Sequence, residues 1–527
     1  MKLAFAEEIR RLDRTAIDEF NIPGLLLMEN AGRGTVDAMR GHFGDLTGRN
    51  IAIVAGPGNN GGDGLVIARH LLQLGGLPAV FLLAAPERLQ GAAAANLAIV
   101  RSLGVPLSVI DHPEKFPLLS SGLADCELVV DAIFGTGLTR QLSGYYADAV
   151  AAINGAQRPV VSVDLPTGLD SDTGRNWGNS VKASLTATFG LAKPGLFLGD
   201  GPLVAGTLEV IDIGLPPRAV TEARLATTLL DAAQVYPWLP ARPAAAHKGT
   251  FGHLLVLAGS RGKTGAALLC GRGALRSGVG LVSLAAPREL GAIMAPALPE
   301  AMTVNLPNSS ADHADLADLS LLLTGLKGKS AVVLGPGLGR AEATGRLVAE
   351  LYRRVELPMV VDADGLNLLA DQNFDLKLAA GPRILTPHPG EMSRLTGLTG
   401  GQIQADRLGV AGSFAAANKV WLALKGAATI LASPDGQLAI NSSGNQLLAA
   451  GGSGDVLAGL IGSLLSQGLT PWQAAALGVF THGLAADLAR EESGHSLGLL
   501  ASELADLLPK AFNRIATQQT TGRRVSC

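Results

Sequence analysis

Residues 51–74 read IAIVAGPGNNGGDGLVIARHLLQL, an apolar run at 51–55, a turn rich in glycine and asparagine, and apolar positions at helical spacing from 65 to 74. A buried strand, a glycine turn and a helix make the opening of a βα unit. The chain repeats that unit downstream, with strands expected at 79–83, 128–131 and 160–164 and a helix at 89–103. Upstream, Ile9, Leu12, Ala16, Ile17 and Phe20 mark one amphipathic helix, and LLMENAGRGTVDAM at 26–39 a second. Such alternation predicts an α/β protein on a mostly parallel sheet covered by helices, with ligands gathering beyond the carboxyl ends of the strands.

Those strand ends carry the unusual residues. Gly56, Gly58 and Gly61 satisfy GxGxxG, which alone says little, because a dinucleotide fingerprint also needs an acid about 20 residues on for the ribose. The best candidate, Glu87, lies 26 residues beyond Gly61 in a loop-like APE. Asn59, Asn60 and Asp63 are additions that a plain phosphate turn does not need. They suit a cation or a polar ring substituent, or else an Asn/Gly turn with Asp63 as helix cap. Two more apolar strands end in a carboxylate followed by a glycine turn: Asp131 before AIFGTGLTRQ and Asp164 before LPTGLDSDTG. In a parallel sheet Asn60, Asp131, Asp164 and Thr167 would share one rim, and oxygen ligands without His or Cys suit K⁺, Na⁺ or Mg²⁺.

The second half begins a new α/β series after a proline-rich stretch, with strands expected at 254–258, 332–334, 359–362 and 420–424 and a helix at 265–277. A first domain over 1–216, a linker at 217–230, a second domain over 231–517 and a polar tail at 518–527 are expected. GSRGKT at 259–264 is not a P-loop, since Leu257 occupies the position of the required first glycine. His388, between two prolines, sits on a rigid loop as a candidate ligand contact. In GGSGD, followed by Val456, Leu457, Leu460, Ile461, Leu464 and Leu465 at helical spacing, a glycine loop feeds a helix N-terminus where backbone N–H groups favour anions. Asp455 fits there either as an N-cap or as the base that takes a proton from a group attacking phosphate.

Composition narrows the function classes. A chain of 527 residues exceeds one core, and 47% hydrophobic residues, 67 glycines and 17% charged residues describe compact α/β domains. A net charge of −3 without a basic run argues against nucleic acid and favours small-molecule substrates. Cys126, Cys270 and Cys527 give neither a disulfide framework nor a CxxC site, and EEIRRLDR near the start is no signal peptide. With no apolar stretch long enough to span a bilayer, no membrane partner is expected, and a cytoplasmic homo-oligomer is.

Taken together, LMENAG, GNNGGDG, DAIFGTGL and DLPTGLDSDTG in the first half, and KGTFGHLLVLAGS, GPGLG, DADGLN, TPHPGE and GGSGDVLAG in the second, stand in order over nearly the whole chain. The chain resembles the bifunctional NAD(P)H-hydrate repair enzymes, an epimerase fused to an ADP-dependent dehydratase. The resemblance implies a Rossmann-like epimerase domain and a ribokinase-like dehydratase domain, using K⁺ in the first and Mg²⁺ with ADP in the second. It places Asn59, Asn60, Gly61, Gly62, Asp63, Gly135, Thr136, Gly137, Leu138, Thr139, Arg140, Gln141, Tyr146 and Asp164 on hydrated NADH or NADPH. Asn60, Asp131 and Thr167 would hold the potassium ion, and Asp164 is the candidate proton-transfer residue. In the second domain it places Ala266, Gly337, His388 and Asp455 near the hydrate. Lys425, Gly426, Ala427, Ala428, Thr429 and Gly454 would lie near the nucleotide, with Asp455 as base. Ala450 stands where Thr or Ser is expected, and Gln446 where a proline or small residue is; a missing hydroxyl contact is worth about 0.5–1.5 kcal/mol. The rival readings are a vitamin- or sugar-type kinase and a non-catalytic first domain.

Overall fold

The computed structural model describes residues 1–138, 140–494 and 496–517; Thr139 and the tail at 518–527 with Cys527 lie outside the described residues. The chain divides between Leu225 and Ala226 into two compact units, each α/β. The stretch 217–230, expected as a linker, is ordered: Pro217–Glu222 is helical and Thr227–Leu230 is a strand of the second sheet. Pro216 and Pro217 sit just before and at the first helical position, where proline is tolerated, so they start a helix instead of preventing one.

The first unit holds strands β1 (Asn50–Ala55), β2 (Leu77–Leu82), β3 (Leu107–Val109), β4 (Leu128–Ala132), β5 (Val160–Val163), β6 (Leu185–Phe189) and β7 (Thr207–Ile211). Their order is β3-β2-β1-β4-β5-β6-β7, and every pairing is parallel. Strands rich in Val, Ile and Ala are buried on both faces, as a helix-covered parallel sheet requires. The order reverses between β1 and β4, which opens a crevice beyond their carboxyl ends.

The second unit holds β8 (Thr227–Leu230), β9 (His253–Leu257), β10 (Leu281–Pro287), β11 (Met302–Leu306), β12 (Ala331–Leu334), β13 (Met359–Val361), β14 (Arg383–Leu385), β15 (Trp421–Leu424), β16 (Ile430–Ala432) and β17 (Leu438–Asn441). The order is β11-β10-β9-β12-β13-β14-β15-β16-β17-β8; β16 is antiparallel to both neighbours, and the other pairings are parallel. The reversal falls between β9 and β12. Behind the sheet the helices Ser453–Ser466 and Pro471–Ser493 are buried almost all round. Val456, Leu457, Leu460, Ile461, Leu464 and Leu465 are each buried, worth about 1.5–3 kcal/mol per side chain. The helix Thr264–Arg276 approaches so closely that a Cβ on Gly459 would stand 1.9 Å from the Cys270 carbonyl oxygen. Cys126 and Cys270 are buried free thiols. Among the described residues no helix is long and apolar enough to cross a membrane.

Candidate functional site

In the first unit the loop expected after β1 is mostly helix. The helix Asn59–Gln73 starts immediately after Gly58, so Asn59, Asn60, Gly61, Gly62 and Asp63 form its opening turns. Asp63 is not the cap; it lies buried inside the helix. Tertiary contact overrides the poor helix propensity of asparagine and glycine here. A Cβ on Gly61 would meet the Gly56 carbonyl at 1.9 Å, so this glycine lets the helix sit against the strand end.

Asp131, fully buried near the end of β4, accepts from Ser162 Oγ at 2.9 Å, Thr167 N at 2.9 Å, Thr167 Oγ1 at 2.7 Å and Ile133 N at 3.4 Å. Burial raises its pKa, and those hydrogen bonds oppose the rise. Thr167 Oγ1 also lies 3.2 Å from the Phe134 carbonyl oxygen. Asn60 Nδ2 is buried without a partner among the described residues. A Cβ on Gly135 would stand 2.7 Å from Asp164 Oδ2 and 3.0 Å from Asn60 Oδ1. The turn after β4 thus faces Asp164 and Asn60, and Asp131 fixes its base.

Asp164, one residue past β5, adopts a left-handed backbone with φ of 67°, a conformation that is strained for a residue with a side chain. Its Oδ1 lies 2.5 Å from Lys193 Nζ, and its Oδ2 accepts from Thr136 N at 3.4 Å. Burial, reinforced by Asp164 and Asp13 and opposed by Lys193, pushes the Asp63 carboxyl well above the ordinary carboxylate range. Asp13 Oδ1 is buried without a partner among the described residues, and burial raises its carboxyl too. Neither Lys193 nor Asp13 is visible from motif reading. The available signal is a lone lysine in the apolar LAKPGL, downstream of β6.

The remaining candidates are spread around this rim. Tyr146 donates to the Leu83 carbonyl at 3.2 Å and packs edge-on against Phe134 at 4.8 Å. Gly137, Arg140 and Gln141 are exposed, and Leu138 is packed at the edge of the core.

In the second unit a cleft of about 450 Å³ is lined by Lys263, Ala266, Gly337, Asp364, Asn367, Glu391, Gly451, Gly452 and Asp455, among others. Three of the four hydrate-side candidates, Ala266, Gly337 and Asp455, line it. His388 does not. Its Nδ1 accepts from the N–H groups of Gly390 and Glu391 and caps the helix Pro389–Thr396, while Glu391 returns a carboxylate to His388 N. The TPHPGE motif thereby seats Glu391 in the cleft.

Asp455 is not an N-cap. The cap position of the helix Ser453–Ser466 is Gly452, with φ of 91° and no side chain to offer, so Asp455 is the third helical residue. Its carboxylate makes no hydrogen bond among the described residues, and the first-turn amides receive no side-chain cap. Burial and then the Asp362 charge raise its pKa to about 7 against the pull of Lys425. Lys425 Nζ lies 2.7 Å from Asp362 Oδ1 and 3.8 Å from Glu391 Oε2. Burial works against its charge, and the facing carboxylates outweigh burial and raise its pKa. A Cβ on Gly454 would stand 3.3 Å from Lys425 Nζ, which makes these two nucleotide-side candidates neighbours.

From Lys425 the chain turns through Gly426 with φ of 146° and Ala428 with φ of 53°, and Thr429 Oγ1 donates back to the Gly426 carbonyl at 3.3 Å. The buried Arg407 spans this turn, donating to the carbonyls of Ala427 and, at 3.2 Å, Leu424. His482, held neutral by burial with a pKa of about 4, donates from Nε2 to the Ser453 carbonyl at 2.9 Å. Despite Ala450, the loop closes on itself: Ser453 N donates to the Ala450 carbonyl at 3.3 Å and Ser453 Oγ to that of Leu448 at 2.8 Å.

A family model described as NAD(P)H-hydrate dehydratase matches residues 254–510, and one described as YjeF-related protein N-terminus matches 24–195. The bifunctional NAD(P)H-hydrate repair enzyme Nnr of Moorella thermoacetica is 45% identical over 522 residues, covering 99% of this chain and 98% of the relative. That of Escherichia coli is 34% identical over 522 residues, covering 98% and 95%. A solved ADP/ATP-dependent NAD(P)H-hydrate dehydratase from Bacillus subtilis, co-crystallised with ATP and Mg²⁺, is 33% identical with a TM-score of 0.47, covering 55% of this chain and 98% of that one. Because the similarity runs through both units, the chain belongs to the bifunctional NAD(P)H-hydrate repair enzymes.

Proposed function

We propose that the second unit removes water from the S epimer of hydrated NADH or NADPH by phosphorylating it from ADP. The observation that carries this reading is Asp455: an unpaired carboxylate at the mouth of a cleft, titrating near neutrality, beside helix amides left free to meet phosphate. Asp455 takes the proton of the hydrate's hydroxyl, whose oxygen attacks the terminal phosphorus of ADP and leaves AMP. The ring nitrogen then expels phosphate as the C–O bond breaks, and the adjacent carbon loses a proton to restore the dihydronicotinamide. Hydroxide is a poor leaving group and phosphate a good one, which is why phosphorylation comes first. Lys425, Gly426, Ala427, Ala428, Thr429 and Gly454 take the nucleotide side, with Ala266, Gly337 and His388 toward the hydrate. Mg²⁺ would neutralise phosphate charge, held by the phosphates with Asp364 and Glu391 as the cleft's carboxylates.

The first unit interconverts the hydrate epimers. Asp164 takes the hydroxyl proton as the C–N bond opens to an aldehyde and gives a proton to the departing nitrogen, leaving a ring-opened amine; the reverse transfers on closure at the other face return the second epimer. The residues 59–63, 135–138, 140 and 141 with Tyr146 would hold the nucleotide. The oxygens of Asn60, Asp131 and Thr167 fit a singly charged ion, since only one of the three residues supplies a carboxylate. Among the described residues no group of three or more acids, histidines or cysteines is so placed that it could hold a metal ion by itself. Potassium would supply positive charge at this rim. The test is a mixed-epimer NADH hydrate given to the purified protein with and without ADP. Complete return of reduced-nicotinamide absorbance, with released phosphate, is expected with ADP; conversion that stalls near the fraction of one epimer refutes the coupled reading.

A further inference from the structure

The ion pair between Lys193 and Asp164 lies beneath the epimerisation rim and is almost wholly dehydrated, with the lysine side chain 1% exposed and the aspartate 11%. A lysine that deep is costly to bury unless its charge is matched and its donors are all used. Both conditions hold. Nζ has three N–H bonds and three acceptors: Asp164 Oδ1 at 2.5 Å, Thr188 Oγ1 at 3.1 Å and the Phe189 carbonyl at 3.0 Å. No donor is left over for a substrate.

The two oxygens of Asp164 are correspondingly unequal. Oδ1 is held by Lys193 and receives further long contacts, at 3.4 Å each, from Thr188 Oγ1 and Phe189 N. Among the described residues Oδ2 has a single long contact, from Thr136 N at 3.4 Å, and it faces the spot where only a glycine fits, at Gly135. Asp164 also holds a left-handed backbone conformation despite its side chain, which persists only where the surroundings over-determine it. Beside it, the Asp13 carboxyl has a buried oxygen without a partner among the described residues, and Asp63 lies buried within reach of the same charges. In a pocket with three carboxyls and one ammonium, the ammonium is committed to one of them.

We infer that Lys193 is the positioning residue of the epimerisation site: by saturating Oδ1 it locks the Asp164 carboxylate so that Oδ2 alone is presented to the hydrate's hydroxyl. The inference rests on Asp164 being the proton-transfer group. Lys193 does not touch substrate, so its loss should misplace the base and leave binding intact. A misplaced catalytic group of this kind costs about 100-fold in rate.

The test uses the full chain with the R epimer of the NADH hydrate, following interconversion by separating the epimers, and with dehydration of the S epimer as an internal control. Lys193→Met is expected to lower kcat for epimerisation about 100-fold with KM unchanged and dehydration at its original rate. Thr188→Val, nearly equal in volume, removes one contact from both partners and should lower kcat by a smaller factor, again with KM unchanged. It decides the matter if the methionine variant does not fold. A rise in KM with kcat preserved would show that Lys193 binds substrate, and unchanged kinetics in the folded variants would show that it positions nothing; either result overturns the inference. Asp164→Asn separates this from the reading beneath it. If Asp164→Asn epimerises at the full rate, the base has been misassigned; if it is inactive while Lys193→Met is normal, only the role of Lys193 falls.

Discussion

Replacing Asp455 with asparagine should have two effects of opposite sign. Asparagine cannot take the hydroxyl proton, so dehydration should fall about 10²–10⁴-fold, the usual contribution of a positioned general base. The folded unit should at the same time become more stable at alkaline pH. The carboxyl titrates at about 7 instead of 3.8, so the native state favours its protonated form. Below about pH 4 the group is protonated whether folded or not, and the substitution should be nearly neutral in stability. As pH rises from about 4 to 7 the unfolded chain ionises freely while the folded chain resists, and the wild type loses stability that the asparagine variant keeps. Above pH 7 the difference is complete. A separation of about three pH units corresponds to a ceiling of ~4 kcal/mol, and solvent reaching the partly open cleft reduces it to about 1–2 kcal/mol. For a unit of this size that is a gain of roughly 2–8 °C in Tm. Calorimetry of the full chain at pH 4, 6 and 8, with each unit's transition followed separately, reads the stability, and return of nicotinamide absorbance reads the activity. A stability gain that does not vary with pH refutes the electrostatic account. Dehydration surviving at more than a few percent refutes the base.

Three further outcomes follow from close approaches in the structure. Gly135→Ala would bring a methyl to 2.7 Å from Asp164 Oδ2 and 3.0 Å from Asn60 Oδ1, so epimerisation should drop about 10–100-fold while dehydration, assayed on the pure S epimer, is unchanged. Gly426→Ala puts a side chain where φ is 146° and Arg407 Nη2 is 2.8 Å away; the expected signature is a raised KM for ADP in steady-state dehydration, with KM for the hydrate held. Gly459→Ala would drive a methyl to 1.9 Å from the Cys270 carbonyl, and separating the two helices should cost the second unit about 3 kcal/mol in denaturant unfolding, with epimerisation unaffected.

The fold was legible wherever one period dominated. The apolar runs at 51–55, 128–131 and 332–334 read as strands, and the spacing after Asp455 reads as a helix. What stayed hidden depends on contacts between separate elements. That Asn59 and Asn60 open a helix follows from Gly61 resting on the Gly56 carbonyl, a tertiary contact no propensity encodes. The stretch 217–230 carries its own helix and a strand whose partner, β17, is about two hundred residues away. In TPHPGE the motif reading picks out the histidine, which caps a helix, while Glu391 lines the cleft. Lys193 was invisible because its partners Asp164, Thr188 and Phe189 meet it only once β5 and β6 lie side by side.

Both units bury a lysine beside acids and use it in opposite ways. In the first, Asp164 is the one carboxylate within ion-pair distance of Lys193 among the described residues, and that contact pins it. An interconversion that runs equally in both directions needs a base fixed between two faces of a ring and returned unchanged after each passage. In the second, Asp362 at 2.7 Å and Glu391 at 3.8 Å already hold Lys425. The attraction left for Asp455 is too small to offset its burial and the repulsion from Asp362, and its pKa settles near 7. Phosphoryl transfer needs such a group: basic enough to accept a hydroxyl proton as the P–O bond forms, and able to hold it while the phosphate is lost. Had Asp455 held Lys425 to itself, it would be a firmly ionised and correspondingly feeble base. Asp362 and Glu391 therefore set the basicity of Asp455 by occupying the cation that would otherwise weaken it.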